Sequence, residues 1–203
     1  MYNKETKDNL TIDIIKGFES HKNFELTKII VIKKFDLEPE DCERILAYHF
    51  PLGFNDVLLN FSSIVNKRLS ILSKNKLKNL KVSEKIKFLV LKRLEIISEY
   101  KISFKKIIKY LMSPRNLLFS NKLLFSISDE LWFLSGDTSL DFNFYTKRLI
   151  LMKIYTKTFI TWVKDNSNKK ILTNNILDSQ LSKVSKIGKY KFIIQNFFQN
   201  IRS

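Results

Sequence analysis

A chain of 203 residues, 44% hydrophobic and 28% charged, carries enough apolar material for one buried core and suits one domain, or one domain with a small appendage. A single cysteine, Cys42, excludes an internal disulfide framework and points to a reducing compartment, and only four Gly and three Pro argue against a turn-rich all-β fold. The formal net charge of +16 is uneven: residues 1–60 are net −3, residues 61–203 are net +19, and residues 67–122 hold 16 basic against 3 acidic side chains.

The long stretches of 3.6-residue periodicity predict about nine or ten helices. The first covers 5–19 and the second 24–35, with Leu26, Ile29 and Ile30 at helical spacing. A short turn over 36–38 leads to Pro39 at a first helical position, and a third helix runs to about Tyr48. Pro51 and Gly53 break the chain before a fourth helix over 54–73, whose Phe54, Val57, Leu58, Phe61, Val65 and Leu69 share a face. A basic linker, 74–81, precedes a fifth helix expected to be capped by Ser83 and to reach about Tyr100. The sixth covers 103–112 and stops at Pro114; the seventh spans about 116–134 and ends at Gly136, a residue suited to a left-handed C-cap. Asp141 is an N-cap for the eighth, which extends to about Lys164; Thr138 can add a further side-chain cap. Two apolar stripes, one through Phe142, Tyr145, Leu149, Met152, Phe159 and Val163 and one through Phe144, Leu151, Tyr155 and Trp162, imply burial on several sides. A ninth helix over 169–186, then Gly188 and a final segment 189–202, complete the chain. The division is therefore 1–50 helix-turn-helix-like, 51–187 helical core and 188–203 amphipathic C-terminal helix.

The basic field of 61–203 draws polyanions, either nucleic acid or an anionic membrane. A compositional bias accounts for it equally well, since Lys outnumbers Arg 30 to 6 and Ile, Asn and Phe are heavily used. The polar first nine residues do not read as a secretory signal, and the longest run without Asp, Glu, Lys or Arg, 45–55, is too short to span a bilayer. The expectation is a soluble or peripherally bound chain.

Catalytic chemistry is not suggested. His21 and His49 have Phe18 and Leu46 three residues earlier instead of the glutamates of a di-iron bundle site. No phosphate loop, serine elbow or Cys/His dyad can be assembled. Glu40 and Asp41 complement a helix N-terminus, and Asp129 and Glu130 are placed on a solvated helix face.

Helices two and three resemble the helix-turn-helix of TetR repressors, and a TetR-like regulator with an apolar effector pocket is the alternative function. The would-be recognition helix, however, opens Glu38-Pro-Glu-Asp-Cys-Glu43, so four carboxylates would face DNA phosphates, with Arg44 the one cation to read bases. No specific nucleic acid partner is expected. A helical scaffold that binds only protein, without a cavity, is a third possibility.

Residues 130–148, Glu-Leu-Trp-Phe-Leu-Ser-Gly-Asp-Thr-Ser-Leu-Asp-Phe-Asn-Phe-Tyr-Thr-Lys-Arg, carry more chemistry than an interhelical connection requires. This long ungapped stretch resembles the hallmark of the Coq-nine family of ubiquinone-biosynthesis accessory proteins, whose bacterial members are described as RpsU-divergently transcribed proteins. Trp162-Val-Lys-Asp-Asn-Ser167 extends the likeness. Before residue 100 it lies in helix order more than in identities.

The resemblance implies an all-α, TetR-like helical bundle, a homodimer, no catalysis and no cofactor. It implies binding of an isoprenoid quinone intermediate or phospholipid, and its presentation to the demethoxyubiquinone hydroxylase at a membrane surface. The setting would be the cytoplasmic face of an inner membrane, or the matrix side in an organelle. The hydroxylase surface would fall on Asp137, Asp141, Phe144, Tyr145 and Arg148, with Lys147 beside them; where the family often has Trp, this chain has Phe144, which lacks the indole N–H. The lipid site would use Leu131, Trp132, Phe133, Phe142, Leu149, Met152 and Tyr155, with Leu123, Leu124 and Ile127 as further apolar walls; ordinary core packing is the other reading of each. Within that polar motif, Gly136, Thr138 and Asp141 are accounted for as caps, while Phe144, Tyr145, Lys147 and Arg148 are not. In the last segment, Phe192, Ile193, Ile194, Phe197, Phe198 and Ile201, flanked by Lys189, Lys191 and Arg202, suit an anionic interface; packing on the chain's own domain or exchange into a dimer partner is the alternative.

Overall fold

The computed structural model describes residues 4–20, 24–36, 38–140 and 142–184, and among these there is helix and no strand. The helices are α1 Lys4–Gly17, α2 Phe24–Phe35, α3 Pro39–His49, α4 Phe54–Ser73, α5 Val82–Ile96, α6 Lys101–Leu111, α7 Leu117–Leu134 and α8 Phe142–Lys164. A further helix, α9, occupies 171–184. This all-helical bundle agrees with the expected fold class. The C-terminal segment 188–203, with its candidate membrane residues, lies outside the described residues.

The centre of the bundle is α4. Its apolar residues Phe54, Val57, Leu58, Phe61, Val65 and Leu69 recur every three or four positions, so all six reach one face and all six are buried. Each such side chain is worth about 1.5–3 kcal/mol on removal from water. That face meets α1, α5 and α7. On α1 it covers Leu10, Ile14 and Ile15, and the Asn60 amide fixes the register by donating to Asp8 and Thr11 at 2.9 Å each. Rings continue the core sideways: Phe61 packs edge-on against Tyr100, and Phe104 edge-on against Phe159.

Both boundaries of α5 differ from expectation. Ser83 does not cap α5. The extended N-cap position belongs to Lys81, whose N–H donates to the Glu84 carboxylate at 2.8 Å, so the glutamate at the third helical position reaches back and defines the start. The same helix stops at Ile96 instead of continuing to Tyr100; a 3-10 turn over Ser98–Tyr100 follows, and the Ser98 hydroxyl donates to the Glu95 carbonyl. The break turns α6 onto α8.

At the far end, Asp165 organises the joint between α8 and α9. One carboxylate oxygen accepts from the Ser167 N–H and hydroxyl, the other from the Thr173 N–H and hydroxyl. Burial would raise its pKa, but these four donors outweigh burial and hold the carboxyl well below the usual range.

Candidate functional site

The chemistry of 130–148 resolves into a corner between α7 and α8. The last turn of α7 closes with Gly136 N–H on the Phe133 carbonyl and Asp137 N–H on the Trp132 carbonyl, both 3.0 Å, which is the Schellman pattern. Gly136 has φ +87°, a region L side chains rarely adopt, although a Cβ there would meet nothing within 4 Å. The glycine is required by its backbone angle, not by space.

This turn drives the Asp137 carboxylate inward. Both its side chain and that of Arg148 are only 4% exposed, and the guanidinium Nη1 donates to Asp137 at 2.8 Å. Arg148 Nε reaches Asp129 on α7, also at 2.8 Å, so one arginine of α8 ties together the turn and the preceding helix. The Lys147 ammonium and the Ser139 hydroxyl donate to the second Asp137 oxygen at 2.6 and 2.7 Å. Burial opposes the charge on Asp137, but the Lys147, Ser139 and Arg148 donors hold its pKa well below the carboxylate range. The Trp132 indole N–H donates to the Lys147 carbonyl at 3.0 Å while the Lys147 ammonium sits 5.3 Å from the indole ring centre. Arg148 lies 3.4 Å from the centre of the Phe144 ring.

These contacts correct several expectations. Lys147 and Arg148 need no external partner to account for them, because Asp137 engages both. The Asp137 and Arg148 side chains are interior and therefore form no exposed face; they brace the corner from beneath. Asp129 is not simply solvated, since it completes the arginine bridge. Beside Gly136, Thr138 and Asn143, the corner exposes large apolar and aromatic side chains: Phe133 (70%), Leu140 (92%), Tyr145 (60%) and Leu149 (58%). Leu140 is absent from the expected set; its position between Ser139 and a helix start carried no periodic signal. The cap expected at Asp141 lies outside the described residues.

A separate cavity of about 300 Å³ opens among α4, α5, α6, α7 and α8. Phe61, Ile97, Phe104, Leu111, Leu123, Leu124, Ile127 and Phe159 form its apolar walls, and exposed Met112 and Leu117 lie at its rim. Of the seven expected lipid residues, Tyr155 lines it, and Met152 lines a shallower groove beside it, together with Lys153 and Lys157. Leu131 is fully buried core, Trp132 belongs to the corner, and Phe133 and Leu149 face outward, so none of these four lines the cavity. The reason is position along the helices: the cavity lies beneath the first half of α7 and the second half of α8, whereas those residues flank the connection between them. The Phe142 side chain lies outside the described set. Sequence reasoning missed Arg93 and Ser62, polar residues at the cavity wall; an arginine within the apolar run of α5 was their one faint signal.

The α2–α3 pair forms as expected, but the charge on α3 is acidic and Arg44 is paired with Asp41 at 3.2 Å, which disfavours phosphate contact. Among the described residues no three His, Cys, Asp or Glu side chains converge as a metal would need, and no helix is long and apolar enough to cross a membrane.

Comparison with known proteins bears on the corner and the α7–α8 wall of the cavity. The sequence model of a family described as COQ9 matches residues 118–188, which contain both. A probable ubiquinone biosynthesis protein coq9, mitochondrial, of Dictyostelium discoideum is 28% identical over 153 residues, 75% of this chain and 48% of the relative. The mitochondrial ubiquinone biosynthesis protein COQ9 of Rattus norvegicus is 32% identical over 142 residues, 66% of this chain and 46% of the relative. Its counterpart in Xenopus tropicalis is 30% identical over 156 residues, 73% and 49% respectively. The chain spans about half the length of the curated relatives it matches. Residues 118–188 therefore carry the COQ9 family segment, and through it the chain is a relative of the COQ9 ubiquinone biosynthesis proteins.

Proposed function

We propose that this protein is a non-catalytic accessory factor of ubiquinone biosynthesis that holds the apolar chain of an isoprenoid quinone intermediate, or of a phospholipid, and delivers its cargo to the demethoxyubiquinone hydroxylase at a membrane. The observation that carries the reading is the apolar cavity, whose α7 and α8 wall belongs to the segment shared with ubiquinone-biosynthesis relatives. At about 300 Å³ the cavity is at the small end for a ligand site, so it takes part of a long chain and leaves the rest at the Met112 and Leu117 rim. Flexible Met112 and Met152, one at the rim and one in the adjoining groove, suit a chain of variable pose.

The exposed ring of Tyr145, with Phe133, Leu140 and Leu149 around it, supplies an aromatic anchor on a rigid, salt-bridged base, the form a partner hot spot takes. In this reading the hydroxylase docks there, and a second copy of the chain and a membrane surface complete the assembly, with residues 189–201 as the membrane element. The relatives' names place them in mitochondria, so the matrix side of the inner membrane is the proposed setting in an organellar cell.

Lipid extraction and mass spectrometry of the folded, purified protein tests the cavity: an isoprenoid or acyl lipid in stoichiometric amount is the expected result, and lipid-free protein would remove the basis for the reading. Affinity capture from the native cell, probed for a di-iron hydroxylase, tests the docking face.

A further inference from the structure

Arg93 is 3% exposed and lies on the wall of the cavity. Its Nη1 donates to the Asn66 side-chain oxygen and its Nη2 to the Ser62 hydroxyl at 2.8 Å, but its Nε–H has no hydrogen-bond partner. Among the described residues no carboxylate forms an ion pair with it, and the cavity lining contains no Asp or Glu. Glu130 on α7 is near enough for the arginine's charge to oppose the upward push of burial on its carboxyl, but it forms no ion pair with the guanidinium and does not line the cavity. Beside Arg93 stands the Tyr155 hydroxyl: burial raises its pKa, while the arginine's charge and its side-chain N–H, directed at the phenol oxygen, oppose that rise. A buried guanidinium with no carboxylate in direct contact and an unused Nε–H is costly in an apolar wall. Its fork is matched by a carboxylate, which would supply a further acceptor and a directly paired charge together.

We infer that the cavity binds a single-chain carboxylate amphiphile with its acidic head inward on Arg93 and its chain leading out past Met112 and Leu117. The inference rests on the cavity being a ligand site, and it adds the chemistry and direction of the ligand. A two-chain phospholipid could enter only by one acyl chain, its phosphate left outside and out of reach of Arg93, because about 300 Å³ leaves no room for a bulky headgroup and two chains. A neutral ester or alcohol would occupy the Nε–H but leave the charge uncompensated.

The test is fluorescence titration of the full chain with cis-parinaric acid and with its methyl ester, at mildly alkaline pH, for wild type and Arg93→Met. The wild type should prefer the acid by about tenfold, the effect of one charge-assisted hydrogen bond. Arg93→Met should erase that preference, because the acid loses a charged contact and the ester only a neutral hydrogen bond, so the acid's affinity falls by the larger factor. Equal binding of acid and ester by the wild type, or an acid preference that survives in Arg93→Met, overturns the inference and leaves the lipid cavity standing. Failure of the wild type to bind either probe overturns both. Should circular dichroism show Arg93→Met unfolded, Arg93→Gln replaces it, keeping a polar group near Ser62 and Asn66 without the charge; the same loss of acid preference is expected, and its retention rejects the proposal.

Discussion

Asp137 and Arg148 are each almost wholly removed from water, so each charge depends on the other. Asp137→Ala leaves the guanidinium with Asp129, itself half exposed, and leaves the Lys147 ammonium without its carboxylate. Removing one partner of a buried pair costs about 3–5 kcal/mol, and the surviving Asp129 contact puts this case near the lower end. Urea denaturation should show a lower midpoint with an unchanged slope. The pH dependence follows from the depressed pKa of Asp137. The unfolded aspartate titrates near ~3.9 and the folded one lower, so in that interval the unfolded chain binds the extra proton. The stabilisation is complete above the unfolded value and is lost as pH falls through the folded one. The gap in stability between wild type and Asp137→Asn should therefore be constant near neutrality and shrink on acidification below about pH 4; a gap that widens there contradicts the assignment. Gly136→Ala separates conformation from contact, because the site has open space: a loss of about 1 kcal/mol is expected from the left-handed backbone alone. The glycine was legible in the sequence, since C-cap chemistry is local. The role of Arg148 was not, because a salt bridge across the hairpin depends on how α8 lies against α7.

Helices formed where period and breakers agreed. The range of α4 matches the sequence reading residue for residue, and α2, α7 and α8 agree to within one residue. Differences arose where a side chain reached past its neighbours, as Glu84 does at the start of α5. The same limit applied to the cavity: the resemblance pointed to Leu123, Leu124, Ile127 and Tyr155 as apolar walls, and they line it, but which apolar residues face a void and which face solid core is decided by the other helices. At the α7–α8 corner, exposure separates docking from architecture. Tyr145→Ala should change stability by less than about 0.5 kcal/mol, as for other exposed substitutions, while weakening capture of the hydroxylase. Phe144→Ala should instead lower the unfolding midpoint, since its ring lies against Arg148 and Tyr145. If Tyr145→Ala unfolds the chain, or leaves capture at wild-type strength, the exposed corner is not the docking surface.

Over the whole molecule, the positive charge and the cavity pose different questions. Charge is spread over many lysines and requires no single geometry, whereas an unfilled apolar volume is a packing decision that the bundle could have avoided. A substitution that enlarges a side chain distinguishes a functional void from a full core. In a full core, added methylenes force neighbours aside at a cost of about 1–3 kcal/mol. Ile127 is itself buried and lines the cavity, so in Ile127→Phe the larger ring can extend into existing space. Stability should then change by less than about 1 kcal/mol, while co-purifying lipid, measured by mass spectrometry against protein, should fall several-fold. Loss of stability with no loss of lipid would mean that the ring had met packed side chains and that the ligand sits elsewhere. Preserved stability with diminished lipid would instead tie occupancy to this volume, and docking at Tyr145 could then be measured on protein emptied of cargo without disturbing the corner that Asp137 and Arg148 hold in place.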